Sequence, residues 1–87
     1  MSYYVYMLKS KGKKPLTYIG YTNNLKKRVD LHNKGKGAKF TRGRTWRLVY
    51  REHFKSKSKA ISREYYIKNN RPLRKKIKDE NLDTLTI

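Results

Sequence analysis

Two short segments near the start of the chain, Tyr3-Tyr-Val-Tyr-Met-Leu-Lys9 and Thr17-Tyr-Ile-Gly-Tyr-Thr22, are rich in aromatic and β-branched residues. Between them lies a stretch with Gly12, Pro15 and three lysines. A parallel crossover needs a dozen or more residues, so strands this close pair as an antiparallel hairpin, and the rest of the fold is built on it. Side chains alternate across a strand. If Val5, Met7 and Ile19 face the core, then Tyr4, Tyr6, Tyr18 and Gly20 share the opposite face. That face gathers phenol hydroxyls beside a glycine, which admits close approach of another backbone. The plain alternative is aromatic packing, with Gly20 at a bulge.

Asn23 or Asn24 offers an N-cap to a helix that runs to about Asn33 and stops before Gly35. Its apolar residues Leu25 and Val29 are four apart. Residues 34–45 show no apolar periodicity and read as a basic glycine-rich loop. Residues 46–54 alternate as a third strand. There Trp46, Leu48, Tyr50 and Phe54 take one parity, and Arg47, Arg51 and His53 the other. Ser56 or Ser58 caps a second helix that reaches about Asn69. Its expected apolar stripe is Ala60, Ile61, Ile67 and one of Tyr65 or Tyr66. Pro72 suits the first turn of a short third helix over residues 73–80, anchored by Leu73 and Ile77. The order ββαβαα predicts an α+β fold: a small three-stranded antiparallel sheet flanked by helices. One domain is expected over residues 1–80, followed by an acidic tail at 81–87.

Charge narrows the partner. The 87 residues include 24 Lys or Arg against 6 Asp or Glu, a net charge of +18. Asp79, Glu80 and Asp83 follow the last base, Lys78, so the basic excess lies entirely before the tail. Such a surface points to a polyanion, and nucleic acid fits better than a membrane, because no long helix pairs a basic face with a broad apolar one. An acidic small molecule as sole substrate is not expected. Hydrophobic content is only 36%, but eight tyrosines argue against a disordered basic tail. The absence of cysteine excludes disulfides, thiolate catalysis and cysteine-based zinc sites, and two histidines alone make no structural zinc site. No apolar run approaches the ~18 residues that cross a bilayer, and the N-terminus lacks a signal peptide's basic start and long apolar stretch. A cytoplasmic location is expected, with association to the nucleoid left open.

Three polar residues border the apolar stripes. Arg28 and His32 are four apart on the first helix, beside Leu25 and Val29. An arginine there can aim its fork at a phosphate, and a neutral histidine can accept a proton near pH 7. The alternatives are a solvated cation and a helix-end residue. Glu64 stands three and four residues from Ala60, Ile61, Ile67 and Lys68. It is either a ligand for a hard cation or one half of a salt bridge to Arg63, Lys68 or a strand arginine.

Taken together and in order, these residues resemble the GIY-YIG nuclease superfamily. Tyr4-Val5-Tyr6 stands at the first short motif, and Tyr18-Ile19-Gly20 matches the second. Arg28, His32 and Glu64 follow in the expected sequence. The likeness runs from Tyr3 to about Ile77. The segments 35–43 and 64–68 look most like the small stand-alone bacterial members of the YhbQ type. Tyr4 replaces the glycine of the first motif, which crowds the pocket. The resemblance implies divalent-metal-dependent hydrolysis of phosphodiester bonds, with DNA the expected substrate and repair or recombination the setting. It implies that Glu64 holds Mg²⁺ or Mn²⁺ and that Arg28 neutralises charge on the phosphate. Tyr6 and Tyr18 position the attacking water, with a tyrosine of depressed pKa or His32 as its base. Gly20 admits the substrate backbone, and Lys36, Lys39, Arg42, Arg44 and Lys68 track phosphates. A non-catalytic basic nucleic-acid-binding protein, or a subunit of a larger complex, is the competing reading.

Overall fold

The computed structural model describes residues 2–81 and 83–86; Met1, Leu82 and Ile87, at the ends of the expected domain and tail, lie outside the described residues. Strands β1 (Tyr3–Ser10) and β2 (Thr17–Thr22) form the antiparallel hairpin, with Tyr6 opposite Gly20 and Met7 opposite Ile19. Strand β3 (Trp46–Phe54) pairs antiparallel with the other side of β1, so the order is β2-β1-β3 and β1 is central. Helix α1 (Leu25–Asn33) packs on one face; α2 (Lys57–Lys68) and α3 (Arg71–Glu80) pack on the other. The expected fold class and element order are those observed.

Local chemistry sets the helix ends. The Asn24 side chain accepts from the Lys27 N–H, and Gly35 takes a positive φ of 75° just beyond α1. Ser56 caps α2 by accepting from Lys59, and Asn70 caps α3 by accepting from Leu73. Since Asn70 supplies the cap, α3 starts at Arg71, earlier than Pro72 alone suggests.

The sheet is covered on both sides. Val5, Met7, Ile19, Val49, Ala60, Ile67 and Ile77 make an aliphatic core against α2 and α3. Tyr6, Leu8, Leu25, Val29, Trp46 and Leu48 make a second core against α1. The hairpin parity is as expected, yet the tyrosine face is itself a core, and Val5, Tyr6, Met7 and Leu8 are all inaccessible.

Two further expectations are corrected. The register shifts between Met7 and Leu8, whose partners are Tyr50 and Leu48, so Val49 is the extra residue of a bulge. Trp46 and Leu48 therefore join the α1 core, while Val49, Tyr50 and Phe54 join the other, so the single parity expected for this strand does not hold. On α2 only Ala60 and Ile67 are buried; Ile61, Tyr65 and Tyr66 are 40%, 69% and 53% exposed. The positions between the two buried residues on that face are charged: Arg63 pairs with Glu52, and Glu64 lies near Lys68.

The loop after α1 is pinned, not loose. It holds a 3₁₀ turn at Lys39–Thr41, and Thr41 is buried. The Trp46 indole N–H donates to the Thr41 carbonyl at 2.8 Å. Asn33 brackets the Trp46 backbone, accepting from its N–H and donating to its carbonyl. Residue Leu85 in the tail donates its N–H to the Leu48 carbonyl at 2.8 Å and packs against the α1 core. No helix among the described residues is long and apolar enough to cross a membrane.

Candidate active site

The register pairs Tyr6 directly with Gly20, and that pairing explains the glycine. A Cβ at position 20 would stand 2.5 Å from the Tyr6 hydroxyl oxygen, 2.7 Å from Cζ and 3.1 Å from a Tyr18 ring carbon. Gly20 is buried and makes room for the Tyr6 phenol; it does not open the surface to a substrate backbone, as the sequence suggested.

The Tyr6 hydroxyl lies 2.8 Å from His32 Nε2, and His32 Nδ1 lies 2.9 Å from the Thr41 hydroxyl. Thr41 has one hydroxyl proton, which it gives to the Ala38 carbonyl at 2.9 Å. With that proton on Ala38, the hydroxyl accepts from His32 Nδ1, and Nε2 accepts from Tyr6, a tautomer assigned from the hydrogen-bond network. Gly37 lies flush against the imidazole, where a Cβ would meet Cγ at 2.7 Å. The result is a closed chain, Tyr6 to His32 to Thr41 to Ala38, inside the α1 core.

Burial decides the ionisation of this chain. It pushes the Tyr6 phenol up to about 12, although the Arg28 guanidinium beside it pulls the other way. His32 is held down to about 4, first by burial and then by the Arg28 charge. Both are neutral near pH 7. The expected depressed tyrosine pKa is thus reversed at Tyr6, and His32, expected to need no shift, moves away from neutrality. Neither side chain reaches solvent, each being 0% exposed.

Tyr18 occupies the outer layer. It is half-buried, its ring centroid 4.9 Å from that of His32 and 6.4 Å from that of Tyr6. Arg28, also half-buried, interacts with both phenols, and Tyr6 first of all raises its pKa further. Arg28 lines a hollow of about 400 Å³ with Tyr3, Tyr21, Thr22, Asn23 and Lys57. Further along β2, Thr17, Tyr18, Ile19, Phe40, Lys68 and Arg74 line a second hollow of about 330 Å³. Both border strand β2, whose outer edge has no strand partner among the described residues.

Glu64 comes from the opposite face of the sheet. Its side chain is 18% exposed, and Lys68 Nζ is a loose neighbour at 3.8 Å. The Glu64 charge is felt at the Tyr6 phenol, which it pushes upward. Among the described residues no cluster of three or more His, Cys, Asp or Glu could cage a metal ion. A single carboxylate nonetheless fits Mg²⁺, which keeps several waters and commonly takes one or two carboxylates plus substrate phosphates.

The structure thus brings Tyr6, Tyr18, Arg28 and His32 together, with Glu64 close by and Lys68 Nζ 5.7 Å over the Tyr18 ring. Lys36, Lys39, Arg42 and Arg44 are exposed on the loop around the 3₁₀ turn. Sequence reasoning passed over Thr41, Gly37 and Phe40. The signal for the first two was only a glycine and a β-branched hydroxyl in a segment without periodicity, where spacing says nothing about contact.

An α+β hairpin fold that clusters two tyrosines, a histidine and an arginine between β1, β2 and α1, with a glutamate of α2 close by, defines a class. Residues 2–78 match the GIY-YIG catalytic domain, and the chain belongs to that family. This is a nuclease family, so nucleic acid is the substrate class it implies. The chain is 51% identical over 88 residues to the UPF0213 protein CPE1444 of Clostridium perfringens, covering 92% of each. It is 51% identical over 67 residues to the UPF0213 protein SH2523 of Staphylococcus haemolyticus, covering 76% of this chain and 79% of that one. The solution NMR structure of the UPF0213 protein BH0048 of Bacillus halodurans is similar, with a TM-score of 0.54 and 38% identity over 98% of this chain and 100% of that one.

Proposed function

We propose that this protein is a divalent-metal-dependent nuclease that hydrolyses phosphodiester bonds, of DNA in the first instance, with its site at the β2 edge. The reading is carried by Tyr18 and Arg28, which line two basic hollows along β2, together with Glu64, which lies beside Lys68 of one of them. Plain phosphate binding needs the cations alone; it needs neither a carboxylate among them nor a buried phenol–imidazole pair behind them.

Each residue has a distinct task. Arg28, its guanidinium against the phenols, neutralises charge developing on the phosphate oxygens. Glu64 would hold Mg²⁺ or Mn²⁺, which when bound polarises the phosphate and stabilises the leaving oxygen. Tyr18, the more accessible phenol, orients the attacking water through its hydroxyl. Tyr6 and His32 are positioning residues. Their hydrogen bond fixes the surface against which Tyr18 and Arg28 rest.

The test is cleavage of supercoiled, linear, branched and single-stranded substrates with and without Mg²⁺, comparing the parent with Glu64→Gln. The expected result is metal-dependent cleavage by the parent, lost by roughly 10³-fold or more in the variant, with binding retained. If Glu64 serves only as a salt-bridge partner, the variant melts lower and keeps its activity per folded molecule. If the parent binds every substrate and cleaves none under any metal, the binding-only reading replaces this one.

A further inference from the structure

Phe40 is 54% exposed, although the chain around it is tightly held. Its 3₁₀ turn is closed by the Thr41 N–H on the Ala38 carbonyl, tied to His32 through the Thr41 side chain, and tied to Trp46 through the Thr41 carbonyl. A large apolar ring presented to water on a rigid support forfeits burial unless something covers it. The ring is oriented: it lies 25° from the plane of Tyr18, with centroids 6.3 Å apart, and 6.2 Å from Trp46. Phe40 and Tyr18 line the same hollow as Lys68 and Arg74. The other exposed large apolar side chains among the described residues, Leu16, Ile61, Tyr65 and Tyr66, line neither hollow along β2.

We infer that Phe40 and Tyr18 form a stacking step for an unpaired nucleobase next to the phosphate held at the site, so that the substrate is single-stranded, or branched with a single-stranded arm. This rests on the nucleic-acid reading of that site and names its substrate class. Nucleobases have flat π faces that stack on aromatic rings whatever their sequence, while cations alongside take the backbone. Lys68 and Arg74 supply the cations, and their charge favours a polyanion over an apolar partner. In a duplex both faces of an internal base are covered by its neighbours. Only an unpaired base can lay a free face on Phe40.

The test measures binding in chelator, so that no strand is cut. Short oligothymidylate, oligouridylate and a blunt hairpin duplex are titrated by fluorescence anisotropy against the parent, Phe40→Ala and Phe40→Trp. Phe40→Ala is expected to weaken single-strand binding about tenfold, within the range of base–aromatic stacking, and duplex binding by less than about twofold. Phe40→Trp restores it. The salt dependence stays unchanged because no charge is removed. A 2-aminopurine in the oligonucleotide is quenched by the parent and by Phe40→Trp, and not by Phe40→Ala. The tighter of the two homopolymers identifies the preferred sugar. Equal losses on single strand and duplex, or no loss on either, overturn the stacking step. If the parent cleaves while Phe40→Ala binds single strands unchanged, the step alone falls. If single-strand binding depends on Phe40 and nothing is ever cleaved, the step stands and the nuclease reading falls.

Discussion

The two faces of the sheet are built from different chemistry on the same strands. The face against α2 and α3 has a core of aliphatic side chains, Val5, Met7, Ile19, Val49, Ile67 and Ile77. The face against α1 buries a phenol, an imidazole and a threonine hydroxyl, joined by two short hydrogen bonds. An aliphatic core tolerates volume-conserving exchange because dispersion has no direction. A buried polar chain does not, because each donor left without its acceptor keeps its full desolvation penalty. The contrast separates a directional core, beside which Tyr18 and Arg28 rest, from an aliphatic core whose helices supply Glu64, Lys68 and Arg74 to the proposed site.

The sharpest way to break this contrast is to delete hydroxyls while keeping rings. Tyr18→Phe should slow cleavage by about 10²-fold or more with little change in melting temperature, since the lost oxygen sits at a half-buried position. Tyr6→Phe should also slow cleavage, by less, and should lower stability by about 1–3 kcal/mol, because His32 Nε2 loses its buried donor. Urea unfolding and cleavage on one preparation separate the two effects. If Tyr6→Phe abolishes activity while Tyr18→Phe cleaves like the parent, the inner hydroxyl is the reactive one and the layering proposed above is reversed.

Acid should find the polar face first. His32 protonates near pH 4 in the fold, against about 6.5 in an unfolded chain. Between those values the unfolded chain takes a proton that the folded chain refuses. The stabilisation is therefore complete above pH 6.5 and is lost as the pH falls towards 4, by about 3 kcal/mol for this one group. His32→Gln should flatten that part of the stability–pH curve. An unchanged slope in the variant would mean that His32 is readily protonated in the native state.

The smallest effect is expected on the aliphatic face. Ile67→Val should cost about 0.5–1.5 kcal/mol and leave cleavage per folded molecule unchanged. Should this variant lose activity beyond its loss of folded protein, the two faces are coupled and the division of labour drawn here is too simple.

Much of this was legible before folding. The hairpin, the glycine end of α1 and the caps, narrowed to Asn23 or Asn24 and to Ser56 or Ser58, rest on local pattern, which a linear sequence displays, while the membership of the candidate cluster rested on the resemblance to the family. The second core was also signalled: Tyr4-Val-Tyr-Met-Leu8 is a nearly unbroken apolar run, as expected of a strand covered on both faces. What stayed hidden depended on contacts that no period predicts. The bulge at Val49 arises from pairing with β1, and it splits one strand between two cores. The pairing of His32 with Thr41 crosses an irregular loop.

The sequence by itself determined the strand parity that puts Tyr6, Tyr18 and Gly20 on one face, the helical spacing of Arg28 and His32, and the charge that calls for a polyanion. Those follow from alternation, from turn geometry and from counting ionised groups. Only the tertiary structure decided which tyrosine lies beneath the other, that Gly20 makes room for a phenol, that Phe40 is presented beside Lys68, and in which direction Tyr6 and His32 titrate. Parity says which side of a strand a residue takes. Its accessibility and its proton affinity depend on what the rest of the chain lays over that side, because desolvation is a property of the surroundings and not of the residue.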